Sequence, residues 1–182
     1  MKLVLIRHGE PRYDEVLERG YPHQGYDLGK LTELGEKQAQ EVSLDPRLKG
    51  ATLIVSSPYT RALQTAAIIS RLTNIPLTVE NDLHEWMPDL DFSGSSEIAF
   101  AYQDYMKHQG KNTPTKIINW ESYQTIKKRT HKALIPYLNH EKIIVVCHGI
   151  VMTTFTSFDD EIEHCGIREV AVDYNLLKTS SK

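Results

Sequence analysis

Two apolar runs, LVLI at residues 3–6 and IIVVC at residues 143–147, each break off into a histidine followed by a glycine: Arg7–His8–Gly9 after the first, His148–Gly149 after the second. Runs this short, apolar without alternation, read as strands buried on both faces of a sheet. Covering both faces of such strands takes helices, which confines the chain to an α/β architecture. In open sheets of that kind ligands collect beyond the carboxyl ends of the strands, where both His-Gly turns fall.

The intervening sequence alternates accordingly. Residues 2–7 form the first expected strand, and the polar stretch from Pro11 to Lys30 reads as a loop. LTELGEKQAQEV then predicts a helix that starts at Thr32 and can turn Leu34, Ala39 and Val42 to one face. TLIVS is a second strand. SPYTRALQTAAIISRL follows as a helix with Ser57 as N-cap, Pro58 at the first helical position, and Ala62, Ala66, Ile69 and Leu72 at helical spacing. PLTVE predicts a third strand and residues 81–96 a loop. Helical patterns follow near 97–108 and between 121 and 138, where Tyr123, Ile126, Leu134 and Tyr137 share a face and Pro136 ends or kinks the helix. KIIVVC is the fourth buried strand, and the alternating REVAVDY suits a sheet edge. Strands alternating with helices, without repeat or linker, predict one α/β domain over 1–182 with a mostly parallel central sheet and a frayed tail at 179–182.

Composition narrows the function. Hydrophobic residues at 40% and charged residues at 25% of 182 are ordinary for a globular domain. A net charge of −3 gives no general attraction to nucleic acid or anionic membrane, so any anion must be held by a local cation cluster. Two cysteines outside any C-x-x-C pair fit a reducing compartment, and no run is long enough for a signal-peptide core or a membrane span. The expectation is a cytoplasmic protein with a small-molecule partner, neither nucleic acid nor membrane. No heptad pattern indicates an oligomeric state.

Such a cluster is available. Arg7, His8 and His148 lie at strand ends, and Arg61 lies one turn into the helix after TLIVS, whose N-terminus adds unpaired N–H groups. Two guanidinium groups and two imidazoles suit the oxygens of a phosphoryl group. Gly9 and Gly149 let the chain turn tightly and let a ligand approach closely. The other histidines, His23, His84, His108, His131, His140 and His164, show no H-x-x-x-H or H-E-x-x-H pairing, so no metal site is expected. Of these only His84, beside Glu85, is a candidate for the site.

RHGE, SSPYTRALQTA and VVCHG, in this order, resemble the histidine phosphatase superfamily in its phosphoglycerate-mutase-like branch (branch 1). QGYDLGKLTELGEKQA is similar to the family's Q-G-x-x-D-x-P-L-T-x-x-G-x-x-Q-A stretch, with Lys30 where proline is usual. LHEW matches L-x-E, and WESYQTIKKR matches G-E-S-x(5)-R. The resemblance implies a three-layer sandwich and a metal-independent, cofactor-free phosphomonoesterase that hydrolyses a small phosphate monoester through a phosphohistidine on His8. Arg7, Arg61, His148 and Gly149 would form the phosphate pocket, with Gln24 as a further substrate contact. Glu85 would be the general acid and then base, with Glu10 as competitor. His148 would work best protonated, alongside a bound dianion. Arg129 matches the family's helix arginine, in a Lys127–Arg129 run otherwise expected to face solvent.

Two alternatives stand beside hydrolysis: a phosphoglycerate-type mutase, for which the chain leaves little room for a large lid, and a catalytically weak phosphate-binding or regulatory protein. The second is raised by RHGEPRYD, where the family commonly has R-H-G-E-T-x-x-N: Asp14 stands where asparagine is usual. Either Asp14 faces away from the pocket or the site prefers a less charged or basic substrate. MPDLDFSG also replaces the usual glycine-rich segment after the acid, and its Asp89 and Asp91 are expected to disfavour a highly anionic substrate.

Overall fold

The structure, a computed structural model, describes residues 1–21 and 23–179, without the side chains of 23–25 and 179. Residues 180–182 of the expected frayed tail and the Gln24 side chain therefore lie outside the described residues, while the backbone of Thr179 ends a helix. The central sheet has five strands: β1 (Lys2–Arg7), β4 (Ile54–Ser56), β5 (Leu77–Val79), β6 (Lys142–Cys147) and β7 (Ile167–Ala171). Their order is β5-β4-β6-β1-β7. The first four run parallel and β7 pairs antiparallel to β1, so the mostly parallel sheet is observed, with REVAVDY contributing its edge.

Alternation along β1 sends Leu3 and Leu5 to one face and Val4 and Ile6 to the other, all fully buried. The Val4 face packs on α2 (Glu33–Val42) and α3 (Thr60–Thr73) through Val42, Ala62, Ala66 and Ile69. The Leu3 face is covered by α4 (Ala101–Lys107), α5 (Tyr123–Leu134), α6 (Gly149–Thr153) and α7 (Tyr174–Thr179), with Tyr105, Trp120, Ile126 and Leu134 in its core. This is the expected three-layer sandwich.

Local signals held unevenly. Thr32 caps α2, its hydroxyl accepting from Gly35 N at 2.9 Å. Leu34 and Leu72, expected on buried faces, are exposed instead; Gly35 takes the inner position on α2, where a Cβ would meet Glu10 O at 2.3 Å. The stretch from Pro11 to Lys30 is not only loop: α1 (Asp14–Glu18) and the hairpin of β2 (Pro11–Arg12) with β3 (Lys30–Leu31) lie within it. The cap at Ser57 is also corrected. Helix α3 begins at Thr60 after Tyr59, and the Ser57 hydroxyl accepts from Tyr59 N at 3.3 Å, ahead of the helix, rather than from its first turn. Pro136 behaves as expected, since α5 gives way at Ile135 to a 3-10 turn.

Candidate active site

The register of the sheet assembles the site. Arg7 pairs with Cys147 across β1 and β6, so His8 and His148 leave adjacent parallel strands side by side. His8 N donates to Cys147 O at 3.0 Å, and Ser57 N, at the end of β4, donates to Val146 O at 2.9 Å. Three neighbouring strand ends thus deliver Ser57, His148 and His8 to one edge. The two imidazoles lie 5.2 Å apart, centroid to centroid.

His8 is 4% exposed. Its Nδ1 lies 2.7 Å from Gly9 O, an acceptor only, which places the ring proton on Nδ1. Nε2 is left with a lone pair, and Arg61 Nε donates to it at 3.2 Å. Burial and then the Arg61 charge push the His8 pKa down to about 3, so the ring is neutral across the physiological range. Arg61 is itself buried, with Nη1 donating to Tyr26 O at 3.0 Å. Arg7 is fixed through Nη1 to Ile162 O, while its Nε is buried without a hydrogen-bond partner.

His148 is fully buried. Its Nε2 lies 2.7 Å from Ser57 Oγ, which also accepts from Tyr59 N, and its Nδ1 has no hydrogen-bond partner. Burial, with Arg61 next in effect, drives its pKa well below the ordinary histidine value. Burial therefore favours the neutral ring, and the protonated form expected of His148 is one that depends on a bound dianion.

These depressed histidines act on stability. In the unfolded chain they accept protons near pH 6.5, whereas in the folded protein they resist, so acidification favours unfolding. For His8 the window runs from about 6.5 down to about 3. Each group can contribute up to about 1.4 kcal/mol per pH unit within its window. The melting temperature is expected to fall between pH 7 and pH 5 by more in the wild type than in a His8→Asn variant; identical slopes would show that the burial of His8 does not govern it.

Glu85 follows a 3-10 turn at Asn81–Leu83, its Oε1 accepting from Trp86 N at 2.9 Å. Burial raises its pKa, against the opposing effects of that N–H and of Arg61, Arg129 and Arg7. The segment is held by Arg129, which is no solvated helix residue. Its Nε and Nη2 bind Glu121 at 2.7 and 2.9 Å, Nη1 donates to the carbonyls of Asp82 and His84, and Nη2 donates to that of Glu85 at 3.2 Å. Glu121 is 3% exposed, and removing one member of so buried a pair costs about 3–5 kcal/mol. Arg129→Met should lower the unfolding free energy read from a urea titration by that amount and, below the transition, reduce turnover of alkyl phosphates. A stable, fully active variant would show that Arg129 positions nothing.

Several residues stand elsewhere than expected. Asp14 faces away: it is exposed and pairs with Arg12. Glu10 accepts from Thr32 Oγ1 at 2.7 Å. His84 lies near Glu85, its Nδ1 2.7 Å from the Glu85 carbonyl and its ring 6.1 Å from Tyr59. Asp89 is buried against Ser93 and the Asp91 N–H, and Asp91 accepts from Asn119, so neither lines the cleft that opens beside Arg7 and Glu85. Gly9 is required by packing, since a Cβ there would meet Gly35 O at 2.5 Å. At Gly149 the nearest atom would be Arg7 Nε at an ordinary 3.7 Å. Sequence reasoning missed His164, whose ring lies 5.7 Å from that of His8. Cys165 N donates to the carbonyls of Arg7 and His8, which brings it there; nothing in the local sequence announces that contact.

The sequence matches the family model of the histidine phosphatase superfamily (branch 1) over residues 3–174. A probable phosphoglycerate mutase GpmB of Salmonella paratyphi A is 29% identical over 162 residues, covering 86% of this chain and 74% of that protein. Among solved structures, a mycobacterial glucosyl-3-phosphoglycerate phosphatase complexed with VO3 has a TM-score of 0.71 at 18% identity, covering 97% of this chain and 93% of its own. An alpha-ribazole phosphatase from Shigella flexneri has a TM-score of 0.70 at 19% identity, covering 96% and 92%. At these identities the structural likeness speaks for the fold; the match along nearly the whole sequence speaks for descent. The chain belongs to the histidine phosphatase superfamily, branch 1.

Proposed function

We propose that this protein is a metal-independent phosphomonoesterase that hydrolyses a small phosphate monoester through a phosphohistidine on His8. The observation that carries the proposal is the state of His8: neutral, with its proton held on Nδ1 by Gly9 and its Nε2 lone pair turned to the Arg61 guanidinium. A phosphoryl group replacing the Arg61–His8 hydrogen bond would meet nucleophile and cation together. Arg7 Nε and His148 Nδ1, both buried without partners, supply further polar contacts to its oxygens. The cationic side chains neutralise charge as it shifts in transfer.

In the first step His8 Nε2 bonds to phosphorus, the ester P–O bond breaks, and Glu85 gives its proton to the departing oxygen. In the second, water attacks phosphorus, the carboxylate of Glu85 takes the water proton, and the N–P bond breaks to release inorganic phosphate and restore His8. Burial suits Glu85 to the first role by keeping it protonated above the ordinary carboxyl range.

Phosphate released from a panel of phosphomonoesters in the presence of EDTA, followed by quenching into conditions that preserve phosphoramidates, tests this directly. Label recovered on His8 is the expected result. Turnover without label on His8, or turnover abolished by EDTA, would overturn it.

A further inference from the structure

In an in-line transfer the leaving group departs on the side of phosphorus opposite His8, beside Glu85, which protonates the departing oxygen. There Arg7 and Glu85 open onto a cleft of roughly 730 Å3. One wall is aromatic and apolar, with Tyr102, Tyr105, Ile150 and Phe158; Tyr105 and Phe158 lie 5.7 Å apart, centroid to centroid. The lining is also acidic. Asp159, Asp160, Glu161 and Glu163 all belong to it, and only Asp160 is neutralised, by Arg168 at 2.8 Å. Among the described residues Asp159, Glu161 and Glu163 form no ion pair, and Arg7 is the one Lys or Arg among the lining residues. Tyr105 is fully buried where it borders the cleft, and its hydroxyl, which has no hydrogen-bond partner, lies beside Gly110.

A cleft lined by carboxylates and aromatic residues is a poor site for a second anion. It is a good one for an amine, attracted by the carboxylates and by the ring faces together. We propose that the leaving group of the natural substrate is an apolar, amine-bearing alcohol or phenol, and that the cleft selects against leaving groups carrying carboxylate or phosphate. The inference rests on the phosphatase reading and narrows it. It keeps the expected preference for less anionic substrates but moves its origin from Asp14, Asp89 and Asp91 to the segment 159–163.

Two esters that differ chiefly in the charge at the end of the side chain make the comparison: 4-(2-aminoethyl)phenyl phosphate and 4-(carboxymethyl)phenyl phosphate, whose phenols are close in acidity. The readout is the ratio of their kcat/KM values. At low ionic strength the amine should be favoured by about tenfold or more, an advantage that shrinks in about 1 M salt, where screening acts within about 3 Å. The double substitution Asp159→Asn with Glu161→Gln should shrink the ratio as well. A ratio near one in the wild type, or one that neither salt nor the double substitution alters, would overturn the proposal while hydrolysis of both esters left the phosphatase reading intact. Loss of turnover on both esters and on 4-nitrophenyl phosphate would bring down that reading and this proposal with it.

Discussion

His8→Ala is expected to lower kcat/KM for 4-nitrophenyl phosphate by about 10^4-fold or more, which is about 5.4 kcal/mol of lost transition-state stabilisation. The size follows from the role: without Nε2 there is no group to bond to phosphorus, and what remains is binding by cations. Those cations are anchored independently of the imidazole. Arg7 is fixed to Ile162 O, Arg61 to Tyr26 O and His148 to Ser57. Inorganic phosphate should therefore still raise the melting temperature of the variant. Vanadate separates the two contributions further, because it can accept a fifth bond from a nucleophile and so imitate the transition state. It should stabilise the wild type far more than phosphate does and lose that advantage in His8→Ala. Retained activity in the variant, or an undiminished preference for vanadate, would remove His8 from the chemistry.

Much of this arrangement was legible in the sequence because it lies on the sheet. A buried strand has a fixed direction and a definite end, so Arg7–His8 and His148 could be placed before any coordinates, and strand register alone brings the rings together. Arg61 was legible for a similar reason, although it lies in the first turn of α3, which begins at Thr60, and not one turn along it. What was not legible depends on where loops return. His164 reaches His8 through a segment whose only announcement is a pair of backbone hydrogen bonds from Cys165, which sits in the left-handed region at φ 56°. The orientation of Asp14 was equally hidden: its exposed pairing with Arg12 depends on the short helix α1 inside a stretch that composition reads as loop. Ser57 was misread because its signature, serine before proline at a helix start, is one that a cap and a histidine partner share. Charge position along the sequence proved a poor guide to charge position in space. Of the acids adjacent to Glu85 in sequence, Asp89 is satisfied by its own turn and Asp91 by Asn119, whereas the segment 159–163 that lines the cleft begins more than seventy residues after Glu85.

Glu85→Gln should divide substrates by the leaving group they carry. An alkoxide needs a proton as it departs, whereas 4-nitrophenolate does not, so the loss should reach about 10^3-fold for an alkyl phosphate and about tenfold or less for 4-nitrophenyl phosphate. The amide is isosteric and can still accept from Trp86 N, so the segment held by Arg129 keeps its place and the difference reports proton transfer. A pH profile gives the same answer independently. Because burial raises the Glu85 pKa, the acid form persists above the usual carboxyl range; wild-type turnover of alkyl phosphates should then fall as pH rises through that raised pKa, and this limb should be absent in the variant. Linkage supplies a third reading with the opposite sign for stability. A carboxyl whose folded pKa lies above its unfolded value stabilises the fold only while protonated, and that contribution is lost as pH rises through the folded pKa. At neutral pH the wild type therefore carries a buried group held in an unfavourable environment, and Glu85→Gln should melt at a higher temperature than the parent while being the poorer catalyst. A variant that loses both ester activities equally and melts no higher would mean that Glu85 lies in the site without serving as its acid.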